Sequence, residues 1–261
     1  MSTNTTPPGR LYLVPTPLDF GCAGPDLPSL STVLPLHTVQ VASGLGHWVT
    51  ENAKSTRAFL KRVDAVCPLH APLQTLQLQE LPREVHKKGD HQSQGGFDAR
   101  PLLAPAVAGH DMALVSEAGM PAIADPGASV VRAAHALGVP VVPLVGPVSL
   151  VLALAASGLN GQHFAFVGYL PQDPKGRAQR LRELEALALK TGQTQLFIET
   201  PYRNEALLQS ALATLKPTTR LAVSCGITLP EQTHHSAAVA AWKKHPPRLP
   251  LSLPAVFLIG A

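Results

Sequence analysis

An α/β fold built on a parallel sheet is predicted by three features between Ala113 and Leu159. Two apolar runs, Ala113–Val115 and Val139–Leu144, each break into a loop rich in Gly and Pro. A helical pattern follows each loop, first Ala128–Leu137 and then the small-residue stretch after Gly146 and Pro147. Strand, loop, helix repeated in this way is the signature of parallel strands joined by helical crossovers. Both loops leave the carboxyl ends of strands, where open α/β sheets bind ligands. Their small residues let a ligand approach the main chain. The expected site therefore holds a small molecule on loop backbone rather than in a charged clamp.

The other elements follow in chain order. Residues 1–9 are polar with two prolines and read as a disordered tail. Leu11–Val14 is a buried strand running into Pro15-Thr16-Pro17. A helix is expected near Pro28–Leu36 and a second strand at Val39–Ala42. Glu51–Val63 has helical spacing, with Ala58, Phe59, Leu60 and Val63 on one side and Arg57, Lys61 and Arg62 on the other. Leu73–Leu81 is ambiguous, although Leu76 and Leu78 alternating with Gln favour a strand. Lys87–Phe97 reads as a surface loop, either a substrate gate or a tolerated insertion. Ala99–Ala108 is a short helix before the strand Met112–Val115. Further on, strands are expected at Phe164–Val167, Gln195–Ile198, Leu221–Ser224 and Ala255–Ile259. Helices are expected at Gly176–Leu189 and Arg203–Leu215, and Trp242–Leu249 reads as a basic Pro-rich loop. The register change near Gly146 divides the chain into α/β domains at 1–146 and 147–261.

Composition narrows the function classes. The 261 residues suffice for one large or two modest domains. A net charge of +4 permits an anionic partner without demanding one. Cys22, Cys67 and Cys225 are isolated, which disfavours a disulfide framework or a zinc site and fits a reducing cytoplasm. No apolar stretch free of charges and breaks reaches the ~18 residues of a membrane span. His234-His235 lacks metal-ligand spacing, so no metal is expected.

Five blocks in order, LYLVPTPL, ALVSEAGMPAIADPGASVVRAA, VPVVPLVGPVSLVLALAASGL, FAFVGYLP and LFIETPYR, resemble the tetrapyrrole methylase superfamily. Within it they look most like the branch that methylates a ribose 2′-hydroxyl of 16S ribosomal RNA. The resemblance runs from about Leu11 to Leu215 and more weakly to Ala261. It implies two α/β domains with S-adenosylmethionine in a cleft between them, and a cytoplasmic homodimer acting on ribosomal RNA or the small ribosomal subunit. The absence of G-x-G-x-x-G after the first strand separately disfavours a dinucleotide site. Carried over residue by residue, the cofactor contacts are Pro15, Glu117, Ala118, Gly119, Ile123, Ser149 and Leu150, then Glu199, Thr200 and Ala255. Ser149 suits either a helix cap alone or a cap that also meets the ligand. Asp125 is expected to cap the helix from Ala128.

The substrate-facing motifs depart from the family pattern. Its Ala-Glu-Asp-Thr-Arg block corresponds to the stretch Thr50–Arg57, which keeps Glu51 and Arg57 but has Asn52 for the acid. Its Arg-Glu-Leu-Thr-Lys block appears as Ser224–Leu229 followed by Glu231-Gln232, with two charges lost. Its His-Asn-Glu segment before the Ala113 strand is not evident. A ribose hydroxyl gains from a general base or from stabilisation of the developing alkoxide. Glu51, Glu117 and Glu199 are candidate bases, and Arg57 and Arg203 candidate phosphate or alkoxide partners. Glu51 with Arg57 is the first choice for catalysis, and Arg203 for substrate contact. Lys175, Arg177, Arg180 and Arg182, with Lys243, Lys244 and Arg248, are the basic clusters available to RNA, although Glu183 and Glu185 suit a solvated helix face better. Two other readings stay open: methylation of a small molecule such as a tetrapyrrole, and a protein that binds S-adenosylmethionine without catalysis.

Overall fold

The computed structural model describes residues 7–19, 29–82 and 97–261. The chain divides into two compact units, Met1–Val148 and Ser149–Ala261. Part of the expected N-terminal tail and nearly all of the Lys87–Phe97 loop lie outside the described residues.

The first unit is a parallel five-stranded sheet. Its strands are β1 (Leu11–Val14), β2 (His47–Thr50), β3 (Gln77–Glu80), β4 (Met112–Val115) and β5 (Val141–Pro143), in the order β3-β2-β4-β1-β5. Alternation along the strands feeds two cores, because successive side chains leave opposite faces of a strand. Tyr12, Val14, Trp48, Ala113 and Val115 pack against α1 (Leu36–Ser43) and α2 (Ala53–Val66). Leu11, Val49, Met112 and Leu114 pack against the 3-10 turn Arg100–Leu103, α3 (Ala104–Val107) and α4 (Ala128–Ala136). This two-sided cover explains why β1 and β4 read as unbroken apolar runs.

Two expectations near the start of the chain are corrected. Val39–Ala42 is helical, inside α1, and not a strand. Its β-branched run is too short to separate the two periods, and Pro35 sets the helix start immediately before it. The strand is His47–Thr50 instead, whose His and Thr dilute the apolar signal. Of the expected helix near Pro28–Leu36, the described part is a single 3-10 turn, Leu30–Thr32, with Ser29 as its cap.

The second unit, taken by itself, is a mixed sheet. Strands β6 (Phe164–Tyr169), β7 (Thr194–Glu199), β8 (Arg220–Cys225), β9 (Thr233–Ala238) and β10 (Ala255–Gly260) lie in the order β6-β7-β10-β8-β9. Only β6 and β7 are parallel; the other pairs are antiparallel. Phe197, Val223 and Phe257 face α6 (Pro174–Thr191), α7 (Asn204–Thr214) and α8 (Val239–Lys244). Helix α5 (Ser149–Ser157) contacts β8, β9 and β10. The expected basic loop at Trp242–Leu249 begins instead inside α8, where Trp242 is buried and its indole N–H donates to the Leu221 carbonyl at 2.8 Å. Among the described residues no helix is long and apolar enough to cross a membrane.

Candidate active site

The strand order of the first unit creates a crevice. β2 leads outward to β3, whereas β4 leads across β1 to β5 at the opposite edge. Connections leaving these neighbours therefore diverge, and a ligand site is expected between their carboxyl ends. Glu51 follows β2 and Glu117 lies just beyond β4. The Glu117 N–H donates to the Glu51 carboxylate at 3.1 Å, and the Asn52 side-chain amide donates to the Glu117 carboxylate at 2.9 Å. Asn52 also caps α2, its side-chain oxygen accepting from the Lys54 N–H at 2.9 Å. An aspartate at this position could still cap the helix but could not donate to Glu117.

Asp125 joins this acidic group. Burial pushes its carboxyl up to about 7, helped by repulsion from Glu51 and Glu117. Its expected role as a cap is corrected: Gly127 is the N-cap residue of α4, which has no side-chain cap. Asp125 was therefore undervalued from sequence, where Asp-Pro-Gly reads as ordinary turn chemistry.

The neighbouring loops pack tightly on one another. Thr16 and Gly119 exchange backbone hydrogen bonds of 3.0 and 3.1 Å. Gly119 has φ +79°, and a Cβ there would lie 3.0 Å from Leu18 Cδ2. A Cβ on Gly146 would fall 2.3 Å from Pro15 Cγ, so the loop after β5 lies flat on the loop after β1. These glycines bring loops together, and the backbone groups of Gly119 are spent on Thr16 rather than turned to a ligand. Beside this assembly lies an apolar cavity of about 460 Å³, within the size range of small-molecule sites. Met120, Pro121, Ala122 and Ile123 from the β4 loop line one side, with Leu13 and Pro143 from the strands and Val131 from α4. Of the expected cofactor residues in this unit, Ile123 lines the cavity; Pro15, Glu117, Ala118 and Gly119 belong to the loops beside it. The cavity wall is a group that sequence reasoning missed except for Ile123, since isolated apolar loop residues carry no periodic signal.

Glu51 and Arg57 were expected to work together. Arg57 is exposed on α2, and its guanidinium reaches the carbonyl of Ala53 one turn back at 3.5 Å. Glu51 is instead engaged with the β4 loop through Glu117.

In the second unit, Glu199, Thr200, Arg203 and Ala255 come together at the carboxyl end of β7. Ala255 pairs with Glu199 across the sheet. The Glu199 side chain is 1% exposed and accepts from Arg203 Nη2 at 2.7 Å and from the Thr200 N–H at 2.8 Å. Its charge is therefore committed to an ion pair, which suits a positioning role better than proton abstraction. Ser149 is the first residue of α5 and half-buried, and Leu150 behind it is buried. Arg177, counted among cations available to RNA, is 7% exposed and lies in the α6 core. His234 bonds Ser224 at 2.9 Å and His235 packs edge-on against Trp242, which gives both histidines structural partners.

A parallel sheet with an acidic crevice and an apolar cavity at its strand ends, followed by a mixed-sheet unit, is the architecture of a two-unit α/β protein with a candidate small-molecule site. Residues 23–241 match the family described as Tetrapyrrole (Corrin/Porphyrin) Methylases. The chain is 30% identical to "Ribosomal RNA small subunit methyltransferase I" of Escherichia coli over 90% of its own length and 72% of that protein. It is 32% identical to the protein of the same name from Xylella fastidiosa, covering 83% of this chain and 67% of that one. The solved "methyltransferase CobJ" shares the fold with a TM-score of 0.52 and 17% identity, over 97% of this chain and 94% of that one. The chain belongs to the tetrapyrrole methylase family.

Proposed function

We propose that this chain transfers a methyl group from S-adenosylmethionine to a ribose 2′-hydroxyl of small-subunit ribosomal RNA. The observation that carries the substrate is the 30% sequence identity with a ribosomal RNA small subunit methyltransferase along 90% of the chain. The residues present also fit the cofactor. S-adenosylmethionine carries a positive sulfonium, a polar ribose and an adenine ring whose flat faces pack on apolar side chains. Glu51, Glu117 and Asp125 offer carboxylates in one loop cluster for the cationic end, and Met120–Ile123 line a largely apolar cavity from the same loop, with Arg132 as its one charged lining residue. When bound, the cofactor supplies a methyl group already activated by its sulfonium.

The protein's part is alignment, exclusion of water and management of one proton. In this reading the proton leaving the hydroxyl is taken up within the Glu51–Glu117–Asp125 group. Burial and its two acidic neighbours push the Asp125 carboxyl up to about 7, which makes it the member of the group best suited to accept a proton. From the second unit, Ser149, Leu150, Thr200 and Ala255 are the remaining cofactor contacts of the reading, Glu199 fixes Arg203, and Arg203 faces the substrate. The same reading has the protein act in the cytoplasm as a homodimer.

The test is transfer of labelled methyl from S-adenosylmethionine to small ribosomal subunits from a strain lacking this protein. Label in the RNA, recovered as an alkali-resistant 2′-O-methylated dinucleotide, is expected. Label in no RNA overturns the substrate; cofactor binding without transfer to ribosomes or cell extract points to the non-catalytic reading.

A further inference from the structure

Aromatic residues make up only 5% of this chain, and both tryptophans and Tyr12 are buried. The other two tyrosines are among its most exposed large side chains, Tyr202 at 80% and Tyr169 at 58%. Both sit at the same edge of the second unit. Tyr169 ends β6, aligned with Ile198 of the parallel strand β7. Tyr202 lies in the 3-10 turn Pro201–Arg203 immediately after β7. At 80% exposure, the Tyr202 ring is the one that packing within this unit leaves most open to solvent.

The surroundings of Tyr202 are built to hold it. Pro201, with its own φ locked, starts the 3-10 turn that carries Tyr202. The Arg203 guanidinium lies over the Tyr202 ring at 5.1 Å from its centre, and is itself anchored to the buried Glu199 carboxylate at 2.7 Å. The contact supports one face of the ring and leaves the other open. The ion pair also cancels the local charge, so the patch offers a flat, polarisable and nearly neutral surface. That chemistry suits the face of an unstacked base better than a phosphate, because sequence-specific RNA sites splay bases out and stack them on aromatic side chains or guanidinium planes.

We infer that Tyr202 is the platform on which a splayed base of the substrate RNA stacks, and that Arg203 positions the Tyr202 ring rather than gripping phosphate. The inference rests on the ribosomal RNA reading above and names how that substrate is engaged.

The test compares Tyr202→Ala, Tyr202→Phe and Tyr202→Trp in methyl transfer to small subunits, with S-adenosylmethionine affinity measured by calorimetry. Loss of one stacked base raises the KM for subunits about 10- to 100-fold in Tyr202→Ala. Cofactor affinity and thermal midpoint stay at wild-type values, since the side chain is exposed. Tyr202→Phe and Tyr202→Trp restore the KM, and the introduced tryptophan is quenched by a single-stranded oligoribonucleotide of the target sequence. A wild-type KM in Tyr202→Ala, or Tyr202→Phe as defective as Tyr202→Ala, overturns the inference while leaving the RNA reading intact. So does a change in oligomeric state in Tyr202→Ala with KM unaltered, which assigns the ring to a second copy of the chain. Failure of the wild-type protein to label any RNA overturns both.

Discussion

Asp125 carries an unusual burden for a surface-loop carboxyl: it is largely removed from water and faces two other acids, Glu51 and Glu117. Both effects favour its protonated form in the folded chain, at about 7 against an unfolded value near ~3.9. A folded pKa above the unfolded one means that the native state holds the proton more tightly. The stabilisation linked to that proton is complete below about pH 3.9, declines through the window and is lost as pH rises through about 7. Within the window each pH unit costs up to about 1.4 kcal/mol. Asp125→Asn removes the titration, so its unfolding free energy should pull ahead of wild type as pH rises from about 4 to about 7 and hold a constant lead above that. Urea denaturation at a series of pH values measures the gap; a gap independent of pH contradicts the placement of Asp125 among these acids.

The loop from Glu117 to Gly127 shows how one element can be half legible. Gly119, Ala122, Ala124 and Gly127 all have positive φ, at 79°, 65°, 62° and 134°. Two alanines in the left-handed region cost about 1–2 kcal/mol each, and strain of this kind gathers at functional loops. Gly127 is the position with no alternative. Its φ is closed to L side chains, and an added Cβ would sit 2.9 Å from Leu114 Cδ2 and 3.3 Å from Ala122 Cβ. Gly127→Ala is therefore expected to lower the unfolding free energy by about 1–3 kcal/mol; an unchanged denaturation midpoint counts against the loop geometry. From sequence, Gly and Pro announced this loop and its position after an apolar strand announced a ligand site. What remained hidden was which residues gather at the site, because Asp125 and Met120 obey no period; Ile123 was named only through the family resemblance. The same division holds elsewhere. β1, β4 and α4 carry unbroken or periodic apolar patterns and were readable. β2 and β9 contain His and Thr at the sheet edge or next to it, and α1 begins after a proline with a β-branched run, so local composition pointed the wrong way or nowhere. The acidic crevice needed the strand order itself, since Glu51 and Glu117 meet only once β4 inserts beside β2.

For the molecule as a whole, charge sets how RNA can be held. The chain has 21 Lys and Arg and a net charge of +4. Several of those cations are already paired inside the protein: Arg62 with Asp19, Arg100 with Asp98, Arg180 with Glu183 and Arg203 with Glu199. Arg177 is buried. With a net charge of only +4, the reading above has RNA affinity draw on shape and stacking as well as on a small number of phosphate contacts. The salt dependence of binding separates the two sources, because each phosphate contact to single-stranded RNA adds about 0.7 to the slope of log K against log salt. About three contacts give a slope near −2 and a loss of roughly 20-fold between about 50 and 200 mM salt. That shallow slope is expected for binding to the small subunit or to its isolated RNA, and Tyr202→Ala should weaken binding by a similar factor at every salt concentration without changing the slope. A slope steeper than about −5 would require an extended basic track, and recognition would then belong to phosphates and not to the exposed Tyr202 ring at the end of β7.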